Sequence, residues 1–357
     1  MAFQLLEICI RLSRMSASIP FRSLFFLRAV PMATNPRRIL AYVGLVVGVL
    51  LLSELIGRTR WTIGRFEQSD IDIGRLACTL TDTRITESSG IVRSDKNPDC
   101  FWTHNDSGDY PRIFLVHSSG KTIATVTVKN AKAIDWEDIA IGQVSGKSIL
   151  ILGDIGGNAQ KRNDVVLYVV EEPVFDIETA LKQEPSALTV PILQTTKVQI
   201  PGGITNYEAI AMSPDDQTMI IVEKALLGGR AFSFPLLGPT SELQQDRQVQ
   251  ATLIGNTPVP YATACDIASD GRSMVLTTYG TGFLYKREPL SDNHLETWEK
   301  ALQREPVVFR LPKLKQIEAV CFSANAKSIF ITSEQLPTPL VEMDLPLDVE
   351  LDSSSRR

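Results

Sequence analysis

Between residues 74 and 343 the apolar positions fall into short runs separated by polar turns, and the runs carry β-branched and aromatic residues, as in Ser273–Tyr279 (SMVLTTY) and Ser328–Glu334 (SIFITSE). That texture predicts strands rather than helices. Turn signals divide them at Ser118-Ser119-Gly120, Ser213-Pro214-Asp215-Asp216 and Ser269-Asp270-Gly271-Arg272. The runs group in fours. The first group is Ser89–Ser94, Cys100–His104, Ile113–His117 and Thr122–Val128. The second is Trp136–Ile141, Ser148–Gly153, Val165–Val170 and Thr196–Ile200. The third is Glu208–Met212, Met219–Glu223, Ala231–Pro235 and Gln250–Ile254, and the fourth is Thr263–Ala268, Ser273–Thr278, Gly282–Lys286 and Val307–Leu311. A fifth group, Glu318–Phe322, Ser328–Ser333 and Leu340–Met343, lacks its last strand, and Gly74–Leu80, ahead of the first group, is free to supply it.

The first strand of each group repeats one pattern: Ser89-Gly90-Ile91-Val92, Glu137-Asp138-Ile139-Ala140, Glu208-Ala209-Ile210-Ala211, Thr263-Ala264-Cys265-Asp266 and Glu318-Ala319-Val320-Cys321. Successive starts lie 48, 71, 55 and 55 residues apart. An irregular strand-rich repeat near 50 residues predicts an all-β fold: a five-bladed β-propeller of four-stranded antiparallel blades, its ring latched by the N-terminal strand. Two insertions read as helical. One is Asp176 to Lys182; the other is capped by Ser291 and places Leu295, Trp298 and Leu302 on one face, and both are expected to decorate the outside.

Upstream, residues 39–57 (ILAYVGLVVGVLLLSELIG) form 19 residues with a single charge, Glu54, long enough to span a bilayer core. Arg11, Arg14, Arg22, Arg28, Arg37 and Arg38 precede it, against Arg58, Arg60 and Arg65 after it. This bias predicts one N-terminal transmembrane helix, its N-terminus cytoplasmic and the propeller periplasmic or extracellular, as for a single-pass protein of a cell inner membrane. The absence of a small-x-small site after the apolar run favours an uncleaved anchor over a removed leader. The expected organisation is a basic segment at 1–38, with Met32 as an alternative start, the anchor at 39–57, a linker at 58–71, the propeller at 72–346 and a disordered tail at 347–357.

Composition narrows the functional classes. A net charge of −5 supplies no basic field for nucleic acid. The five cysteines, Cys9, Cys78, Cys100, Cys265 and Cys321, contain no CxxC pair. Cys265 and Cys321 read as core residues, and a Cys78–Cys100 bridge is open to an exported domain. There is no Gly-x-Ser-x-Gly elbow, no P-loop and no dinucleotide fingerprint.

The repeat's lead residues carry the candidate chemistry. Ser89, Glu137, Glu208, Thr263 and Glu318 are all oxygen carriers, and if each opens an inner strand they converge on the axis. Three carboxylates so placed repel one another, and Ca2+ resolves the conflict by accepting six to eight oxygens; zinc fits poorly without His or Cys. A second polar set ends the second strand of each blade: Thr103-His104-Asn105-Asp106-Ser107-Gly108, Gly153-Asp154-Ile155-Gly156-Gly157-Asn158 with Lys161 and Arg162 after it, Glu223-Lys224, Thr278-Tyr279 and Ser333-Glu334-Gln335. These define one rim. Asp106, Asp154 and His104 are the candidate acid–base groups, and Asn105, Asn158, Arg162, Lys224, Tyr279 and Glu334 the candidate ligand contacts, Arg162 and Lys224 suiting an anion. The bland alternative is that the ring residues cap strands and that HNDSGD and DIGGN are ordinary turns.

The blade count and lead residues resemble the calcium-activated nucleotidase (apyrase) family of five-bladed propellers. That family holds calcium with a Ser, Glu, Glu, Ser, Glu series, matched here by Ser89, Glu137, Glu208, Thr263 and Glu318, with Thr263 in place of the second Ser. The family's rim loop resembles Asn105-Asp106-Ser107-Gly108 without its Arg. A group of exported bacterial propellers is also similar, through WTHNDSG, DWEDIA, DIG-x-N and a strand ending Thr278-Tyr279; Gly157 stands where that group often has Asp. The resemblance implies a calcium-dependent phosphohydrolase acting on a phosphorylated small molecule. The other reading is a membrane-tethered propeller with structural calcium that binds a glycan or protein ligand. A six-bladed lactonase would need a further blade and Asn-rich ligands.

Overall fold

The computed structural model describes residues 66–157, 165–239, 241–291 and 294–346. The predicted anchor at 39–57, the basic segment before it, the tail at 347–357 and the rim residues Asn158, Lys161 and Arg162 lie outside the described residues. Among the described residues no helix is long and apolar enough to cross a membrane.

Among the described residues the strands form five blade sheets and one small hairpin, and the core strands appear where alternation places them. Ahead of the ring runs β1 (Arg75–Leu80). Blade one is β2 (Ser88–Arg93), β3 (Cys100–Asn105), β4 (Arg112–His117) and β5 (Thr122–Lys129). Blade two starts with β6 (Trp136–Val144), β7 (Lys147–Asp154) and β8 (Val165–Glu171), inserts α1 (Ile177–Ala180) and β9 (Ser186–Pro191), and resumes with β10 (Gln194–Gln199). Blade three is β11 (Tyr207–Ser213), β12 (Thr218–Glu223) and β13 (Arg230–Pro235), then β14 (Asp246–Gln250) and β15 (Thr252–Asn256). Blade four is β16 (Ala264–Ile267), β17 (Ser273–Thr277) and β18 (Thr281–Lys286), the small hairpin β19 (Pro289–Ser291) and β20 (His294–Leu295), α2 (Trp298–Ala301) and β21 (Val307–Arg310). Blade five is β22 (Ile317–Phe322), β23 (Ser328–Ser333) and β24 (Thr338–Asp344).

The inner strands contact one another in a closed cycle, β2–β6–β11–β16–β22–β2, so the fold is a five-bladed propeller. Blade five is completed by β1, antiparallel to β24, as the sequence pattern predicts. Two corrections concern the outer edges. Blades one and two are five-stranded, because β9 runs parallel along β5 and β14 runs parallel along β10. Each added strand comes from the following blade's insertion and covers the outermost strand of the blade before it, which removes an exposed sheet edge. The strand predicted at Gln250–Ile254 is therefore the junction of two strands that serve different blades. The second correction is local: the helix in blade four is capped by Thr297, whose hydroxyl accepts the Lys300 N–H at 3.4 Å, while Ser291 lies in the preceding hairpin. Trp298 and Leu302 of this helix are buried against Met274, Phe283 and Tyr285 rather than lying loosely outside. In blade two the helix predicted from Asp176 to Lys182 is the single turn α1, with Asp176 as its N-cap.

Apolar side chains from neighbouring blades form one cluster per seam. Alternation explains this: Tyr207, Ile210 and Met212 of β11 face blade two, whereas Ala209 and Ala211 face blade four. Polar staples join the blades nearer the axis. Ser88 Oγ meets Thr332 Oγ1 at 2.7 Å, and Asp266 accepts the Phe322 N–H at 2.7 Å. Asp138 accepts the Ile210 N–H at 2.9 Å and the Cys265 N–H at 3.3 Å, linking blade two to blades three and four. Cys78 and Cys100 are free thiols on different blades, so the bridge left open by the sequence is not formed.

Candidate functional site at the axial mouth

The repeat's lead residues share a backbone irregularity. In blade two Trp136 pairs with Asp154 and Asp138 pairs with Gly153, leaving Glu137 as the extra residue of a β-bulge. Ser89, Glu208 and Glu318 occupy the same place in blades one, three and five. In blade four Ala264 pairs with Thr277, and the Thr263 N–H donates to the same Thr277 carbonyl at 2.8 Å. A bulge kinks the strand and re-aims one side chain. Repeated around the ring, it turns the leading side chains toward one end of the axis.

The structure gathers the carboxylates and separates the hydroxyls. The Ser89 hydroxyl donates to the Glu137 carbonyl at 2.8 Å, and the Thr263 hydroxyl donates to the Ile317 carbonyl at 2.9 Å. Both act as seam staples between consecutive blades. Glu137, Glu208 and Glu318 instead meet three acids from neighbouring loops. Ligand atoms of Asp106, Asp135 and Glu137 lie within 4.8 Å of one another, and so do those of Asp106, Glu318 and Glu334. Asp106, expected on the rim as a base, thus joins the two groups. Asp135 was not singled out by the sequence, because it precedes the repeat and reads as the turn before Trp136. The only available signal was its place in the acidic run Asp135-Trp136-Glu137-Asp138.

Burial dominates the electrostatics. Glu137 is 2% exposed, and its Oε1 has no hydrogen-bond partner. Burial, then the charges of Glu208, Asp106, Asp135 and Glu318, hold its carboxyl well above the usual range. Asp106 is pushed up to about 7 by burial and by Glu318, Asp135 and Glu208, against one backbone N–H from Ser107. Glu318 is pushed up to about 8 by burial and by its hydrogen-bonded neighbour Glu334. The opposite side of the mouth has its own cation. Lys224 pairs with Glu208, lies 3.9 Å from Glu318 and donates to the Tyr279 hydroxyl at 3.0 Å. Its ammonium also sits 5.1 Å from the centre of the Tyr279 ring. The sequence reading gave Lys224 an anion; the structure gives it the ring carboxylates.

Other predicted site residues have structural partners. His104 is fully buried behind Gly90, its Nδ1 2.9 Å from the Asn105 carbonyl, and burial lowers its pKa to about 4. A Cβ on Gly90 would lie 2.6 Å from the imidazole, which is why the repeat carries glycine there. His104 thus lies within the wall, enclosed from solvent, where burial favours the neutral imidazole. Asn105 organises the loop: it accepts the Thr86 N–H at 3.0 Å and donates to the Arg84 carbonyl at 2.7 Å and to Asp109 at 2.8 Å. Asp154 is buried at the end of β7 and accepts the Asp135 N–H at 3.0 Å, which sets the turn that presents Asp135. Gly156 in that turn leaves room for the acids, since a Cβ there would fall 2.0 Å from Glu137 Oε1 and 2.5 Å from Asp135 Oδ2. Glu334 is half-buried, accepts from Gln316 at 2.6 Å and hydrogen-bonds Glu318.

Oxygen donors without His or Cys suit a hard divalent cation. The mouth passes that test on the Glu137 side, where a buried carboxylate oxygen lacks a donor, and not on the Glu208 side, where Lys224 already serves.

Neither a protein-family model nor a curated protein matches the chain. Among solved structures it is similar in outline to Kuenenia stuttgartiensis hydrazine synthase, at 8% identity over 73% of this chain and 72% of that one, with a TM-score of 0.38. An auxiliary nutrient binding protein from Bacteroides thetaiotaomicron VPI-5482 shares 9% identity over 73% and 70% of the two chains, with a TM-score of 0.38. The Dos1 propeller shares 13% over 72% and 68%, with a TM-score of 0.33. At such distances no ligand or activity carries across.

Proposed function

We propose that the protein is a binding propeller whose axial mouth takes a divalent cation, calcium in the first instance, through Asp106, Asp135 and Glu137. The observation that carries this reading is the partnerless Oε1 of Glu137, a buried carboxylate oxygen grouped with the carboxylates of Asp106 and Asp135. A buried charge costs several kcal/mol unless it is paired or coordinates a metal. An ion there would balance the negative charge of those carboxylates and give a ligand's oxygens a place to bind. Ser89 and Thr263 fall out of the expected ligand set as stapling residues, and Glu208 and Glu318 answer to Lys224. With residues 39–57 as anchor, the mouth would belong to an exported domain; that part rests on the sequence pattern.

A second reading, phosphohydrolysis, is favoured by one observation. Asp106 is half-buried over the mouth, and its carboxyl titrates at about 7, as a general base working near neutral pH should.

The test is thermal unfolding of the full chain in EDTA and in calcium, with metal analysis alongside. Ligand at a hundredfold excess over its dissociation constant stabilises by about 2.7 kcal/mol, a shift of several degrees for a domain of this size. The shift should vanish in Glu137→Gln and persist in Thr263→Val. No shift together with no bound metal would end the cation reading. Calcium-stimulated phosphate release lost in Asp106→Asn would move the second reading ahead.

A further inference from the structure

The loops at the acidic end of the ring expose apolar side chains in a way the rest of the surface does not. Of the twelve large apolar side chains exposed among the described residues, seven sit on these loops, Tyr110, Leu226, Leu227, Tyr261, Tyr279 and Leu336 among them. Three others lie on outermost strands and two at the opposite end. Exposed apolar residues scattered singly are ordinary, but a concentration around one opening marks an interaction face. Leu227 is 91% exposed and Tyr110 75%, so neither serves the core.

The most prominent part of this face is held in shape. The loop bearing Leu226 and Leu227 is tied at both ends, the Tyr261 N–H donating to the Ala225 carbonyl at 2.8 Å and the Thr257 N–H to the Gly229 carbonyl at 2.8 Å. A preorganised apolar loop loses little entropy on docking.

Charge selects the occupant. Six carboxylates meet at the mouth, Asp106, Asp135, Glu137, Glu208, Glu318 and Glu334, and Lys224 is the one ammonium among them in the described residues. Among the described residues, three arginines of the same rim are paired locally: Arg84 with Asp82, Arg112 with Asp109 and Arg230 with Glu223. A divalent ion beside Lys224 still leaves the mouth acidic, even with a proton shared between Glu318 and Glu334. Lys224 also shows how the mouth holds an ammonium, between two glutamates and over the Tyr279 ring.

We infer that this face docks an extended segment of a partner protein that seats a lysine or arginine over Glu318 and Glu334 and packs flanking apolar residues on Leu226, Leu227 and Tyr279. The inference does not depend on the divalent cation, which concerns the Glu137 side of the mouth.

The probe is a library of random dodecapeptides displayed on phage, panned against the immobilised full chain with calcium present. Enriched peptides should share a lysine or arginine flanked by apolar residues. A labelled peptide of that class should lose about tenfold or more in affinity, as expected for a central contact worth about 1.4 kcal/mol, on Leu226→Ser with Leu227→Ser and, separately, on Glu334→Gln. Leu226 and Leu227 are exposed and Glu334 is half-buried, and a cooperative melting transition retained in each variant shows that the fold is intact. No enrichment over a bare surface, acidic consensus peptides, or equal binding by the variants would overturn the proposal. So would sedimentation showing a dimer that the Leu226/Leu227 variant dissolves, which would make a second copy of the chain the occupant.

Discussion

Two glutamates of blade two, both almost fully enclosed, have opposite surroundings. Glu172, just past β8 at the far end of the ring, accepts from Trp102 Nε1 at 2.9 Å, from the Ser148 hydroxyl at 2.6 Å and from the Ser94 hydroxyl, with the Asn97 amide at 3.5 Å. Its donors come from blade one as well as blade two, so the carboxylate straps a seam. Glu137, at the axial end, keeps an oxygen that no donor reaches, and its nearest polar company is other carboxylates. A buried carboxylate surrounded by donors stabilises the fold by holding those donors together. One surrounded by acids is held in place by the rest of the fold and favours any cation that arrives. The contrast separates scaffold from site without reference to any relative.

The largest effect that would sharpen this contrast lies at Glu172. Glu172→Ala leaves the Trp102 indole and two hydroxyls buried without their acceptor, and each buried unsatisfied group costs about 1–3 kcal/mol. A loss of about 4 kcal/mol is expected by urea unfolding, with no dependence on calcium. A loss under about 1 kcal/mol would mean that the strap is dispensable and that donor count does not distinguish the two glutamates.

Much of this was legible in the chain. Alternation located the core strands, and the missing last strand of blade five located β1. The repeat's lead position marks Glu137, Glu208 and Glu318 in the sequence itself. What could not be read is directional. A bulge is a register shift, visible only once the partner strand is known, so it was hidden that Ser89 would staple a seam while Glu137 faced the axis. Lys224 follows a strand end as a rim residue does, yet its long side chain folds inward because Glu208 lies one strand away. His104 sits in a polar run, but the absence of a Cβ on Gly90 lets its ring into the wall. The strands β9 and β14 escaped because they are mostly exposed and gain their order from a neighbouring blade's edge, which a local pattern does not encode.

A smaller effect tests the two halves of the mouth against each other. Lys224→Met removes the internal cation and leaves Glu208 buried without its ion pair. Breaking an enclosed pair costs about 3–5 kcal/mol; with proton uptake or an ion as relief, about 2 kcal/mol is expected here. Calcium should recover more stability in this variant than in the parent, since both halves would then call for an ion. Calorimetry with and without EDTA measures this directly. Equal calcium shifts in the two proteins would show that the halves do not communicate, despite the charges they share through Asp106.

The pH dependence of the metal-free protein tests the same comparison, and its sign follows from it. Asp106 titrates at about 7 and Glu318 at about 8 in the folded state, against ordinary values of 3.8 and 4.5, and Glu137 is raised as well. The folded chain therefore binds more protons than the unfolded chain between roughly pH 4 and pH 8, and stability falls as pH rises through that window. In EDTA the melting temperature should drop from pH 5 to pH 8, and calcium should flatten the drop, because an ion replaces the protons that the carboxylates give up. Asp106→Asn should reduce the slope between about pH 4 and pH 7 and leave the contribution of Glu318, which extends to about pH 8. A melting temperature that rises across this range in EDTA would mean that the carboxylates find their cation within the chain, and the distinction between Glu137 and Glu172 would then rest on geometry without consequence.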